Sequence, residues 1–265
     1  MIELQKHELD LTVTEVKRLH ERYVLLRLTH TEPLPDMRPG QFVEVRVDGS
    51  PSTFLRRPIS INFVDRERNE LWLLVAMVGD GTRRLAQLQP GDVLNCVLPL
   101  GNGFSSIGDG SLSVGDSVLL VGGGVGVAPL LYQGASLKLQ GVRTVFLLGA
   151  RTKQDLLMLD DFRRYGDVFL TTEDGSEGER GFVTQHTVLQ QQRFSLIQSC
   201  GPTPMMKAVA RYARQESIAC EVSLENMMAC GLGACLCCVE KTTEGNLCVC
   251  KDGPVFNINR LLWQI

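Results

Sequence analysis

The chain lacks a basic excess: 27 Lys and Arg face 30 Asp and Glu, a formal net charge of −3. That leaves no electrostatic footprint for a nucleic-acid partner. It has little histidine, four residues in 265, and none lies near its cysteines, which weakens any mixed Cys/His zinc pattern. No leader sequence is expected, because Met1-Ile-Glu-Leu-Gln-Lys-His-Glu is charged and has no long apolar core. A cytoplasmic, reduced protein is expected. An uninterrupted apolar run is also missing. Ser117–Leu139 has the length of a membrane span, but Gly122, Gly123, Gly124, Gly126, Gly134 and Pro129 break it. A strand, a turn and a helix account for it, and no membrane span is expected. Finally, the cysteines are not spread: six of nine fall between Cys230 and Cys250. An odd, clustered set is a poor disulfide framework, and in a reduced compartment it signals metal or redox chemistry.

What is present is a soluble composition, 44% hydrophobic and 22% charged, with 26 glycines, above the usual share of about 7%. The first hundred residues read as β. Leu11–Arg18, Tyr23–Thr29, Gln41–Val47, Pro58–Val64 and Leu71–Val78 are short apolar runs separated by turn residues, as in a barrel or sandwich. In Gln41–Val47 apolar and polar side chains alternate, the pattern of a half-buried strand. A helical stretch, Thr82–Gln89, interrupts the series. After the Gly- and Ser-rich loop Gly101–Gly115 the period changes. Strands at Ser117–Val121, Thr144–Leu148, Val168–Thr171 and Ser195–Ser199 mix with helices at Ala128–Gln140 and Pro204–Arg214. This argues for βαβ units and a parallel sheet. The Cys-rich tail resembles neither. The expected fold is therefore multi-domain, β plus α/β: an N-terminal antiparallel barrel over 1–102, a parallel-sheet α/β domain over 103–222 and a Cys-rich module over 223–265.

Cys230, Cys235 and Cys238 are spaced C-x4-C-x2-C, and Cys250 follows after eleven residues. This is the ligand spacing of a plant-type [2Fe–2S] cluster. Four thiolates must converge on two irons, and a tight loop delivers three. Gly231 and Gly233 let that loop curl and turn backbone N–H groups toward the sulfurs. Structural zinc is the rival, through Cys235/Cys238 and Cys248/Cys250, although the second pair has C-x-C spacing; buried free thiols are the third reading. Cys237 and Cys248 are set aside on spacing, and Cys96, Cys200 and Cys220 read as small core residues.

Gly122-Gly123-Gly124-Val125-Gly126-Val127-Ala128-Pro129 lies between an apolar strand and a helix, where a turn can present N–H groups to a pyrophosphate. It does not fit G-x-G-x-x-G, so the standard dinucleotide fingerprint is absent; a plain βα turn is the bland reading. Upstream, Arg56-Arg57-Pro58-Ile59-Ser60 enters a strand. An arginine and a hydroxyl fixed by a proline can hold a phosphate or a flavin edge. A solvated Arg pair is the alternative.

In this order, the Arg57–Ser60 motif, Gly79-Asp80-Gly81-Thr82 and the glycine turn resemble the ferredoxin–NADP reductase superfamily. There an R-x-[YF]-[ST] motif in a barrel binds flavin, a G-x-G-T segment covers its pyrophosphate, and a GGG-x-G-x-x-P turn opens the pyridine-nucleotide domain. Ile59 stands where many members carry an aromatic. Glu225–Cys238 and Cys250-Lys-Asp-Gly-Pro-Val-Phe256 look like the [2Fe–2S] module of one branch, the electron-transfer subunits of NAD-dependent, class 1B dihydroorotate dehydrogenases. The resemblance implies FAD at Arg57, Pro58, Ile59, Ser60, Leu74, Val75, Ala76, Gly81 and Thr82. It implies NAD at Gly122, Gly123, Gly124 and Gly126, with weaker matches at Gly149–Arg151, Glu173–Ser176 and Cys200–Pro202. Cys230, Cys235, Cys238 and Cys250 would hold the cluster, and no residue would act as a general base. It further implies an FMN-containing catalytic subunit as partner, in a heterotetramer with two of each, serving pyrimidine biosynthesis. Two alternatives stay open. One is a flavin/iron–sulfur subunit of an NADH-dependent ferredoxin:NADP oxidoreductase or sulfide dehydrogenase; the other is a zinc-stabilised, non-catalytic binding module.

Overall fold

A computed structural model describes residues 5–265. The apolar runs of the first hundred residues become β1 (His7–His20), β2 (Tyr23–Thr29), β3 (Phe42–Val45), β4 (Arg57–Asp65) and β5 (Glu70–Ala76). A sixth strand, β6 (Val93–Leu100), lies outside the expected set; it pairs with β1 and β3 and closes the barrel in the order β1-β2-β5-β4-β3-β6. Closure leaves no open edge. The interior is filled by side chains such as Leu11, Leu26, Val43, Ile61, Leu73 and Leu98, each stabilising by about 1.5–3 kcal/mol on burial. The helical stretch after β5 is the single short helix α1 (Asp80–Leu85).

The expected half-buried character of Gln41–Val47 is corrected: every residue of β3 is buried, and Glu44 is 1% exposed. Alternation assigns Glu44 to the outer face of the barrel, but that face is covered by the carboxyl-terminal segment.

The second sheet is built from β7 (Ser117–Gly123), β8 (Arg143–Ala150), β9 (Asp167–Thr172), β10 (Glu179–Arg180), β11 (Leu196–Cys200) and β12 (Ala219–Ser223). These strands run parallel in the order β10-β9-β8-β7-β11-β12. Helix α2 (Ala128–Leu139) and the short α3 (Leu159–Arg163) and α4 (Val188–Gln191) connect them, and α5 (Thr203–Gln215) follows β11. On one side the apolar layer of α2 continues onto Tyr23, Leu25, Trp72 and Leu74 of the barrel. On the other, the layer of α5 takes in Phe42 and Leu100 from the barrel and Cys238, Cys248 and Cys250 from the tail. The barrel and the sheet therefore share two continuous cores.

The tail forms a hairpin of β13 (Val239–Thr242) and β14 (Gly245–Cys248), a turn of helix α6 (Val249–Asp252) and a last strand β15 (Val255–Asn257). Strand β15 pairs antiparallel with β12, so the tail adds an edge to the parallel sheet. It also grips the barrel exit: Asn102 N donates to Gly253 O at 2.6 Å and Asn102 Nδ2 to Lys251 O at 3.1 Å. No helix among the described residues is long and apolar enough to cross a membrane.

Candidate functional site

The two arginines at the start of β4, Arg56 just before it and Arg57 its first residue, have separate environments. Arg56 Nη2 donates to Glu8 Oε1 at 2.7 Å and to Asn95 Oδ1 at 2.6 Å, which ties β1, β4 and β6 together. Arg57 Nη1 meets only the carbonyls of Leu55 and Arg56, both at 3.1 Å, and has no carboxylate partner among the described residues. Its guanidinium lies against the G-x-G-T segment: a methyl group at Gly81 would come within 3.1 Å of Arg57 Nε. The sequence-predicted Arg57 and Gly81 are thus adjacent, with a cation free to meet an anionic ligand. Thr82 Oγ1 accepts the N–H groups of Val78 and Gly79 and donates to Gly79 O, so its hydroxyl holds the turn itself.

On β4, Ile59 and Ile61 point into the barrel, while Pro58 and Ser60 sit half-buried on the outer face. Asn62 continues that face and donates through Nδ2 to Ala128 O at the start of α2, at 2.9 Å. On β5, Leu74 and Ala76 pack in the layer shared with α2, and Val75 packs in the barrel core. Ile59 and Val75 are therefore supports behind the outer face, not surfaces on it.

The glycine turn follows β7, the strand from which the chain runs one way through β8 to β9 and then crosses back to β11 and β12. This is a topological switch point, where open α/β sheets form their ligand crevice. Gly124 has φ +58°, a left-handed conformation that favours glycine. Gly126 lies against the end of β11, so that a methyl group there would sit 2.4 Å from Gly201 Cα and 2.5 Å from Cys200 O. The turn Gly122–Gly126 and the segment Cys200–Pro202 thus form the two lips of the crevice, and Gly149 lies beside Gly123 on β8.

The cysteine loop is irregular, with Gly231, Gly233 and Leu236 at φ +67°, +80° and +58°. Its N–H groups turn toward sulfur. Leu232 N and Cys235 N each donate to Cys230 Sγ at 3.4 Å, Gly233 N to Cys250 Sγ at 3.1 Å, and Cys250 N to Cys238 Sγ at 3.3 Å. Burial pushes the Cys230 thiol up, but the N–H groups of Leu232 and Cys235 outweigh it and bring the thiol to about 6. Cys250 is pushed up to about 12, first by burial and then by the neighbouring Cys238 sulfur. Donors aimed at sulfur fit thiolate ligation of an iron–sulfur cluster. Among the described residues no three His, Cys, Asp or Glu side chains are grouped closely enough to hold a single ion; a dinuclear cluster asks for two thiolates per iron. Cys237 is exposed, whereas Cys248 is buried with Sγ 3.9 Å from Gly233 O. Cys96, Cys200 and Cys220 lie in the core, and burial raises the thiol of each.

Two further groups escape sequence reasoning. Cys200 Sγ faces Glu225 Oε1 at 3.8 Å at the lip of the crevice, and burial raises the Glu225 carboxyl. Glu44 is buried with neither carboxylate oxygen partnered among the described residues, and burial, offset by Arg56 and reinforced by Cys230, pushes it up to about 7. The charged residue inside an apolar strand was the available signal for Glu44; Glu225 had only its place at the head of the cysteine motif.

Comparison with known proteins agrees with this layout. Residues 225–262 match the iron-sulfur cluster binding domain of dihydroorotate dehydrogenase B, and residues 120–211 match the oxidoreductase NAD-binding domain. The electron transfer subunit of dihydroorotate dehydrogenase B (NAD(+)) from Lysinibacillus sphaericus is 40% identical over 232 residues, 86% of this chain and 88% of that one. Its counterpart from Bacillus caldolyticus is 36% identical over 255 residues, 95% of this chain and 97% of that one. Among solved structures, an NADH-dependent reduced ferredoxin-NADP oxidoreductase, studied for flavin-based electron bifurcation, superposes with TM-score 0.82 at 30% identity, over 96% of this chain and 90% of that one. The cytochrome b5 reductase domain of Ulva prolifera nitrate reductase, at 17% identity and TM-score 0.62 over 80% of this chain and 94% of that one, shares the fold alone. With its barrel, switch-point crevice and sulfur-directed loop in one chain, the protein belongs to the family of electron-transfer subunits of dihydroorotate dehydrogenase B (NAD(+)).

Proposed function

We propose that this chain is the redox conduit between a dihydroorotate-oxidising, FMN-containing catalytic subunit and NAD+ in the cytoplasm, in an assembly of two of each subunit. Residues 1–102 serve FAD, 103–222 serve NAD and 223–265 serve a [2Fe–2S] cluster. When bound, the cluster supplies one-electron transfer and the flavin exchanges single electrons for the pair carried in a hydride.

The observation that carries the reading is the set of four backbone N–H groups directed at Cys230, Cys238 and Cys250. With Cys235, these cysteines would hold the cluster, and the N–H donors would stabilise their negative sulfurs. Arg57 would neutralise a flavin phosphate from beside Gly81, a role that its lack of a carboxylate partner supports. Pro58 and Ser60, with Leu74 and Ala76, would line the flavin on the outer face of the barrel. Gly122, Gly123, Gly124 and Gly126 would let the pyridine nucleotide approach the backbone at the switch point. Packing of the barrel and the sheet against one another through Asn62 and Ala128 would fix the flavin face relative to the nucleotide crevice and exclude water between them.

The test is iron, sulfide and flavin quantitation with a visible spectrum on anaerobically purified protein. One FAD with two irons and two sulfides per chain is expected, together with NADH oxidation by an artificial acceptor and no dihydroorotate oxidation by the chain alone. Zinc without flavin would sink the reading. The likeness to the ferredoxin-NADP oxidoreductase favours a second reading, a flavin/iron–sulfur subunit of that enzyme class. Co-purification of an FMN subunit that oxidises dihydroorotate separates the two.

A further inference from the structure

We propose that Glu44 is a positioning residue that sets the reduction potential of the cluster, by holding a carboxyl group in the dry junction between the flavin-motif strand and the cysteine loop. The inference rests on the cofactor reading above.

Strand β3 runs antiparallel to β4 with Glu44 opposite Pro58. The Glu44 side chain leaves the barrel on the same face as Phe42, which packs in the layer containing Cys238 and Cys250. The cysteine loop rests directly on it: a methyl group at Gly231 would lie 2.7 Å from Glu44 Cγ and 3.1 Å from Oε1. Only glycine lets the loop come down this far, and Gly231 directly follows Cys230. Glu44 is 1% exposed and both carboxylate oxygens lack partners among the described residues. The nearby Arg56 donates to the Glu44 backbone carbonyl at 3.4 Å, and to Glu8 and Asn95. It does not bond the Glu44 carboxylate.

Burying an unpaired carboxyl is unfavourable, and glutamine or methionine would fill the same space at less cost. What glutamate adds is a carboxyl that, in its ionised form, puts negative charge beside Cys230 in a medium of low dielectric, where it acts strongly; burial opposes that form, and Arg56 and Arg57 favour it. A negative charge there disfavours the reduced cluster, lowers its potential and favours passage of the electron onward.

The experiment is spectroelectrochemical titration of both chromophores in the full chain carrying FAD and cluster, with E44Q and E44D compared with the wild type. E44Q is expected to move the cluster midpoint to more positive potential while the flavin midpoint and the iron, sulfide and FAD contents stay unchanged; E44D, which keeps an ionisable carboxyl, is expected to stay nearer the wild type. An unchanged midpoint in E44Q overturns the proposal. So do equal shifts in E44Q and E44D, equal movement of flavin and cluster, or loss of the cluster from E44Q, because each makes the contact one of packing. Wild-type protein lacking iron, sulfide and FAD would instead sink the cofactor reading, before any variant is made.

Discussion

Two loops in this molecule, the glycine turn after β7 and the cysteine loop, are built by opposite means. The glycine turn Gly122–Gly126 sits at the buried end of a parallel strand. Its course is dictated by what surrounds it, with Gly122 against Leu130 and Gly126 against Gly201. The cysteine loop Cys230–Cys238 is largely exposed, with Leu232 and Leu236 in solvent. It carries left-handed backbone at a leucine and is held by N–H contacts to its own sulfurs. The first loop is ordered by the core before any ligand arrives. The second has little core of its own, so the group it binds must supply much of its order. Damage to the first should therefore be read out in folding, and damage to the second in cofactor content.

Replacing a ligand gives the largest expected effect. Cys230→Ser or Cys250→Ser should abolish the cluster, measured as iron and sulfide per chain, whereas the exposed Cys237→Ser should leave both intact; retained cluster in Cys250→Ser would move the fourth ligand to Cys248. Gly126→Ala breaks the comparison from the other side. Its methyl group has no room, and overpacking of this kind costs about 1–3 kcal/mol, so urea denaturation should show lost stability while iron content per folded chain holds. Next is Arg57→Ala, which should weaken FAD binding about 10–150-fold, from lost charge-assisted bonds of about 1.5–3 kcal/mol, in a fluorescence titration of flavin-free protein. Arg56→Ala, by contrast, should lower barrel stability, because Arg56 bonds Glu8 and Asn95.

The smallest expected effect concerns pH. Burial lowers the His186 pKa below its ordinary 6.5, and Glu179 at 3.5 Å offsets this only in part. The neutral ring accepts the Val188 N–H at Nδ1. Because the folded value is depressed, this contribution to stability is complete above 6.5 and is lost as pH falls through the folded value. Denaturant midpoints should therefore fall between about pH 7 and about pH 5, and His186→Gln should flatten that part of the profile. Iron content of the distant cysteine loop should not follow it.

The parts of the site legible in the sequence are those built from neighbours in the chain. Ligand spacing is a local property, so C-x4-C-x2-C could be read directly, and so could the glycine turn between a strand and a helix. Strand β6 escaped because Val93-Leu-Asn-Cys-Val-Leu-Pro-Leu neither alternates nor looks like a strand with Pro99 inside it; only closure of the barrel against β1 and β3 defines it. Alternation along Gln41–Val47 puts Glu44 on the outer face of its strand, but it does not say whether another segment covers that face. Arg56 and Arg57 are indistinguishable as a pair in sequence. Their partners, Glu8 and Asn95 for one and the Gly81 turn for the other, come from remote strands.

The sequence by itself determined the chemistry that this chain can hold: the thiol set, the glycine turn and the arginine–proline–serine strand entry, because each is a short arrangement of residue types fixed by chain geometry. The tertiary structure decided how those pieces meet. It laid β15 on β12, tied Asn102 to Lys251 and Gly253, and set Gly231 down on Glu44. These contacts depend on close packing between segments remote in the chain, which local periodicity does not encode.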